Sequence, residues 1–311
     1  IFASQGDEVD TNANCLTNRT YSGALSDSVR ACFAGNNDPA QVNTIEFFSM
    51  THTGNSLHFG DLSYSLIMPA TFASPTRGIF TGGQNSSNPT GVNNIEFITI
   101  STTGNAADFG DLVDARSQLM GCSNAVRGLI SGGGEAPGNG VNTIEFVTIA
   151  TLGNSEDFGD LSIGVGYNGS VTNSTRGVIT INDAPNYTNA LEFITIATTG
   201  DAKDFGNLSA VQGARVPASA SSTTRGVFAN SQGDLTYDYV TISSDGGANE
   251  FGNLKNAIGN RTGFSNGVRG LIAGGINASD VWLNIIEFII VLNETGFNLN
   301  ESDIDFFLKF K

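Results

Sequence analysis

Three phrases recur in fixed order along this 311-residue chain, and that repeat constrains the fold more than any other feature. The first is an Arg followed by a short apolar run that often ends in Gly-Gly. It begins at Arg30, Arg77, Arg127, Arg176, Arg225 and Arg269, at intervals of 47, 50, 49, 49 and 44 residues. The second is Ile-Glu-Phe followed by apolar residues, at Ile45, Ile95, Ile144, Leu191 and Ile286, with a degraded copy at Tyr237. The third is Asp-Phe-Gly-Asp-Leu or a close variant, beginning at His58, Asp108, Asp157, Asp204 and Glu250.

Each phrase reads as a β-strand, because its Ile, Val, Phe and Thr residues suit a pleated, packed surface. A weaker fourth segment, rich in small residues, precedes each Arg; examples are Tyr21 to Ser28 and Ala115 to Asn124. That makes four strands per unit, joined by Gly, Asn, Ser and Pro. No window shows a clear helical period. The Ile-Glu-Phe and Arg-Gly strands are apolar on both faces, whereas a sheet with one wet face would alternate. Four-stranded antiparallel sheets buried on both sides and repeated radially are propeller blades. The expected fold is therefore an all-β propeller, one domain over residues 1–311, with six blades and a seventh as the alternative. Residues 1–16 read as a decayed third-plus-fourth-strand unit and Ile304 to Phe310 as an extra strand, so the terminal segments 1–20 and 293–311 are expected to close the ring. An open solenoid would need polar end caps, and none is evident.

Composition narrows the partners. The chain carries 14 Lys plus Arg against 30 Asp plus Glu, a formal net charge of −16. Phosphate-backbone contacts need clustered Lys and Arg, so nucleic acid is not an expected partner. The apolar runs fall far short of a helical membrane span, so membrane insertion is not expected. With 39% hydrophobic residues and 21 Phe the chain can bury a core. Residues 1–5 have neither the basic start nor the apolar run of a signal peptide, which suggests a processed or partial chain. Cys15, Cys32 and Cys122 match no zinc or redox spacing. They read as buried small residues, with a Cys15–Cys32 disulfide open in an oxidising setting.

The order of phrases from Ala115 to Leu161 resembles a divergent kelch repeat. In that family a double glycine ends the second strand, here Gly82-Gly83, Gly132-Gly133 and Gly274-Gly275, and an aromatic anchors the fourth. Phe59, Phe109, Phe158, Phe205 and Phe251 take that aromatic position. More narrowly, the run from Thr-Arg-Gly through Ile-Glu-Phe to Asp-Phe-Gly-Asp-Leu is similar to repeats in virion and tail-associated proteins of marine bacteriophages. The resemblance covers residues 20 to 292 and implies a virion or extracellular setting rather than a chemistry. The departures are Ile181-Asn182 and Asn230-Ser231 in place of Gly-Gly, and a lone Trp, Trp282, in a loop.

Catalytic motifs do not assemble. The Asp-Phe-Gly triplets at Asp108, Asp157 and Asp204 lack every other kinase element. Gly164 to Gly169 matches a dinucleotide fingerprint but has no following helix. The pairs Asp108/Asp111 and Asp157/Asp160 occupy one repeat position in successive units, so they do not flank a common bond; as Asp in turns they would accept backbone N–H bonds. His52 and His58 share one repeat and lack a third metal or triad partner. No cofactor, metal or enzymatic activity is expected. Arg starts the second strand and an acid starts the fourth at the same end of the unit. A structural ring of ion pairs is therefore expected: Arg77–Asp108, Arg127–Asp157, Arg176–Asp204 and Arg225–Glu250.

The loops between second and third strands vary most, and a rigid scaffold with variable loops on one rim is where binding concentrates. Asn88, Asn139, Tyr187 and Trp282 are the candidate ligand contacts, the two aromatics as platforms for sugar C–H faces. The expected function is attachment of a virion to a host-surface glycan or receptor through many weak contacts, raised by multiple copies per particle. The alternatives are a structural part that docks other virion proteins, and a secreted carbohydrate-active enzyme.

Overall fold

The computed structural model describes all residues except 1–8, 37–40, 51–53, 135–139, 183–186, 212–217, 230–235, 254–257, 268, 278, 280 and 291–311. It is an all-β, six-bladed propeller, each blade a sheet of four antiparallel strands. Blade one runs Gly23–Ser26, Arg30–Ala34, Thr44–Ser49 and Leu57–Asp61 from the axis outward. Blade two follows with Ala70–Ala73, Arg77–Thr81, Val92–Thr99 and Ala107–Arg116, and blade three with Met120–Ser123, Arg127–Ser131, Val141–Thr148 and Glu156–Val165. Blade four comprises Ser170–Thr172, Arg176–Thr180, Ala190–Thr195 and Lys203–Asn207; blade five comprises Ser219–Ser221, Arg225–Ala229, Thr236–Thr241 and Asn249–Asn253. Blade six has Thr262–Ser265, Arg269–Ala273 and Ile285–Ile290, and its outer strand is Val9–Asn14 from the start of the chain. Of the third-plus-fourth unit expected at 1–16, the described residues supply the fourth strand, and residues 1–8 lie outside them. The strand expected at 304–310 lies outside the described residues.

There is no single central core. Six apolar clusters lie between successive blades, one at each junction around the ring. The second strands bury nearly every residue, as at Ile79, Phe80, Leu129 and Ile130, because each sheet is covered on both faces. The Gly after the repeat Arg has a packing reason: a Cβ at Gly177 would stand 2.6 Å from Cys122 Sγ of the preceding blade. Leu25 meets Gly78 in the same way.

Polar contacts tie the blades together at three radii. Around the axis, hydroxyls of each inner strand donate to inner-strand carbonyls of the blade before it. These are Ser26 to Ser265, Thr71 to Ala24, Ser123 to Ala73, Ser170 to Gly121, Ser219 to Ser170, and Ser265 to Ser221, at 2.5–2.9 Å. All six junctions are covered, so the belt is closed.

At mid-radius the acid of the Ile-Glu-Phe phrase is buried in every blade: Glu46, Glu96, Glu145, Glu192, Asp238 and Glu287. Backbone N–H groups just beyond the preceding fourth strand donate to it, from Leu16, Ser63 and Ser209, and from Val113 and Ser162 within the long fourth strands of blades two and three. Arg19, Arg116 and Arg261 complete buried ion pairs with Glu46, Glu145 and Glu287. Burial pulls the Arg116 guanidinium below its usual range, against the opposing pull of Glu145. Glu96 differs. Leu66 stands where Arg116 stands in the next unit, and one of the Glu96 carboxylate oxygens has no partner.

At the far face the expected Arg–carboxylate pairs of Arg77, Arg127 and Arg176 give way to another arrangement. Arg77 lies 4.4 Å over Phe97 and Arg127 4.3 Å over Phe146, and each donates to a carbonyl of the next blade, Ile149 and Ile196. Arg176 stacks on Phe193 and pairs with Asp245 of the next blade rather than Asp204, and Arg225 lies over Tyr239. Asp108, Asp157, Asp204 and Glu250 are exposed and stand opposite the buried acids in strand register. An exposed carboxylate keeps its water, whereas an aromatic face beside a half-buried guanidinium offers attraction without desolvating a second charge. The N–H-accepting turn role expected of the repeat Asp falls instead to Asp27, Ser74, Asn124, Asn173 and Ser222, which cap the tight turns before Arg30, Arg77, Arg127, Arg176 and Arg225. All three cysteines are free and buried, so Cys15 and Cys32 form no disulfide.

Replacing Glu145 by Gln strands the buried Arg116 charge and is expected to cost about 3–5 kcal/mol. Glu96→Gln removes a buried charge that has no cation and keeps an acceptor for Ser63, so its effect stays within about 1 kcal/mol. Urea denaturation of the two variants checks the contrast; equal losses would contradict it.

Candidate functional site

The inner strands line an axial channel containing a cavity of about 290 Å³. Small side chains are dictated there, because six strands converge on one axis. At Gly121 a Cβ would approach the Thr71 carbonyl oxygen to 2.6 Å. The walls are consequently rich in Ser, Thr, Ala and Gly, and six of their hydroxyls are spent on the closing belt.

One rim of this channel is unusual. The segment leading into the inner strand crosses from the rim of the preceding blade, and it does so through a residue with left-handed backbone. These residues are Tyr21, Met68, Gln118, Tyr167 and Asn260, with φ between 55° and 62°, and among the described residues no other non-glycine residue has positive φ. All five line the axial cavity. Blade five's counterpart falls within 212–217, outside the described residues. Left-handed backbone costs a residue other than Gly or Asn roughly 1–2 kcal/mol. Four of these five residues are of that kind. Strain repeated at one mouth and nowhere else among the described residues marks a candidate site.

The crossing is held in place from both sides. Met68 N donates to the Tyr21 carbonyl of the neighbouring blade at 2.8 Å. The double-glycine ends of the second strands reach the lead-in of the following blade: Gly83 N donates to the Arg116 carbonyl and Gly275 N to that of Arg19. Gly164 to Gly169, the dinucleotide-like run, is the lead-in of blade four and carries Tyr167 at the mouth. Gln118 and Asn260 are nearly buried, at 6% and 5% exposure. The Asn260 amide oxygen has no hydrogen-bond partner. Arg261, the charged residue on the described lining, is engaged by Glu287.

The residues singled out from sequence lie elsewhere on the same face. Asn88 sits in the blade-two loop, where its N–H and side-chain amide both donate to Asn85 Oδ1. Tyr187 is 36% exposed on the blade-four loop, and Trp282 is half-buried on the blade-six loop, bridged to Ile276. Asn139 lies outside the described residues. Asn88, Tyr187 and Trp282 belong to different blades and do not converge on one point. The mouth residues escaped sequence reading because Tyr, Met, Gln, Tyr and Asn share no side-chain type. Their only signature is a constant offset of six residues from the Leu, or Cys15, that closes each fourth-strand phrase.

Titratable chemistry is sparse. No group of three or more His, Cys, Asp or Glu among the described residues is arranged to hold a metal ion. His58 is exposed, 3.6 Å from Asp61, and His52 lies outside the described residues. Burial pushes the Cys15, Cys32 and Cys122 thiols up to about 12, with Glu46 adding to the rise at Cys15 and Asp27 at Cys32. Cys122 belongs to an inner strand, yet its sulfur is pressed against Gly177 of the next blade.

The chain is similar to a solved structure described as "Structure of YjhT". The TM-score is 0.75 at 9% identity, covering 91% of this chain and 97% of that one. Such a likeness establishes the propeller fold. No family model matches the sequence, and no curated protein matches it.

Because the Met68 backbone is left-handed, Met68→Gly is expected to be more stable than Met68→Ala by about 1 kcal/mol, the reverse of the usual order. Thermal denaturation of the pair tests this. The thiols give a second expectation. Their folded pKa lies above the unfolded value near 9, so their contribution is complete below about pH 8.5 and is lost between about pH 9 and 12. Each cysteine should add a slope of up to about 1.4 kcal/mol per pH unit in that range. A Cys122→Ala variant should show a shallower alkaline decline in a pH series of denaturation curves.

Proposed function

We propose that the protein is a non-enzymatic, kelch-like propeller of a virion surface or tail, and that it attaches the particle to a host-surface glycan or receptor. The observation that carries this reading is the strained mouth on the loop face: five non-glycine left-handed residues converge on one cavity. Strain of this kind persists where the surrounding structure over-determines it, and it clusters at ligand clamps and active sites. The same face bears the loops of most variable sequence, with Asn88, Tyr187 and Trp282. A closed ring presents them rigidly, which lowers the ordering cost of binding. The net charge of −16 limits nonspecific adhesion to nucleic acid and anionic lipid. Multiple copies on a particle would convert weak single contacts into firm attachment.

A second reading is a docking part that joins other virion proteins. Leu16, Tyr64, Val113, Ile163 and Val211 favour it. They are 44–63% exposed and each lies shortly after the Leu, or Cys15, that closes a fourth-strand phrase, so apolar residues recur around the outer rim. Such recurrence exceeds scattered surface hydrophobes and suits a partner that encircles the ring.

Binding of the purified, multimerised protein to isolated host envelope decides between the two. Attachment predicts saturable binding that falls at least about tenfold on swapping the 84–91 loop or on Trp282→Ala, with an unchanged melting temperature. Docking predicts no envelope binding and loss of particle incorporation on Val113→Asp with Ile163→Asp.

A further inference from the structure

The axial cavity has a composition that selects its ligand. We infer that it binds a neutral, polyhydroxylated ring, the terminal sugar of a glycan, with the Asn260 amide as the central hydrogen-bonding group; this rests on the attachment reading and deepens it. Asn260 is more than nine-tenths buried, at 5% exposure, lines the cavity, and leaves its Oδ1 without a donor. The Oδ1 is itself closed off from the cavity, so a ligand hydroxyl supplies its proton as the amide turns inward. Gln118, held in the same left-handed backbone elsewhere around the mouth, adds a second amide with both donor and acceptor capacity. Tyr21 and Tyr167 bring aromatic rings with hydroxyl tips to the same cavity, a pairing that suits a ligand with apolar C–H faces and polar edges.

Size and charge narrow the class. A volume of about 290 Å³ lies at the lower end for ligand pockets, about 300–1,000 Å³, and suits one or two sugar rings. The six inner strands enclose it laterally, so an extended peptide has no groove to follow. Among the described lining residues the charge is that of Arg261, already paired with Glu287. Among the described lining residues a phosphate, sialate or uronate meets no cation beyond that pair, in a protein of net charge −16. The neutral sugar is therefore favoured over its acidic relatives.

Titration of the full chain with free N-acetylglucosamine, galactose, glucose, mannose and rhamnose, followed by ligand-observed NMR, tests this, with N-acetylneuraminic and glucuronic acids as anionic probes. At least one neutral sugar should bind saturably and the acids should not. Asn260→Gly and Gln118→Gly should each weaken binding at least about tenfold, glycine retaining the left-handed backbone so that the melting temperature holds. The 84–91 loop swap should leave the constant unchanged. The inference is overturned if no neutral sugar binds up to about 10 mM, if the acids bind better, or if both glycine variants bind as the parent does. Envelope binding that survives both glycine variants removes this inference and leaves attachment standing. Sugar binding at the mouth with no envelope binding does the opposite.

Discussion

A sheet that is apolar on both faces cannot stand alone, and this constraint governs the whole molecule. Each blade is stable only between two others, so six apolar clusters replace one core and the last blade must meet the first. Val9–Asn14 closes the ring by pairing with Ile285–Ile290. The junction clusters are non-directional, and burying a single Ile or Phe contributes roughly 1.5–3 kcal/mol. Register between blades comes from directional groups instead: the hydroxyl belt at the axis and the buried acids at mid-radius. The stacked arginines add to it at the far face. Closure then fixes the mouth, because each lead-in must cross from one blade's rim to the next blade's axis within a few residues. The left-handed residues lie on that crossing.

Much of this is legible in the residues. The phrases mark the second, third and fourth strands, their order implies the antiparallel blade, and apolarity on both faces separates a propeller from a sandwich. The small-residue segments belong at the crowded axis, where the structure has them. What stays hidden is the pairing of phrases across blades. Arg77 and Phe97 belong to two recognisable phrases, but nothing in one sequence says that the guanidinium stacks on that ring and donates to Ile149 of the next blade. The Glu of Ile-Glu-Phe stands in plain view as an acid fixed within an apolar strand. That pattern signals a buried, hydrogen-bonded carboxylate, and Arg19 and Arg116, four residues after the closing Cys15 and Leu112, are its partners.

The candidate site is less legible, for a physical reason. Sequence points to binding residues through unusual types in variable loops, which leads to Asn88, Asn139, Tyr187 and Trp282. The mouth is defined by backbone conformation, which leaves no mark on Tyr, Met or Gln. Only Asn260 is of a type that favours the left-handed region. Loop rim and mouth share one face, so a large ligand reaching the mouth would meet the rim as well. A scaffold of this kind separates two tasks: loops can change without disturbing the ring, while mouth residues are tied to its closure.

Closure as a global property is tested most directly by the thiol of Cys122, which lies in blade three, opposite the seam between blades six and one. In the chain lacking residues 1–14, blade six loses its outer strand. If every blade depends on its neighbours, Cys122 should react with a thiol reagent at nearly the rate seen in denaturant, along with Cys15 and Cys32. If Cys122 stays as protected as in the full chain while Cys15 and Cys32 react, blade three is stable without the closed ring, and the dependence of every blade on closure is contradicted.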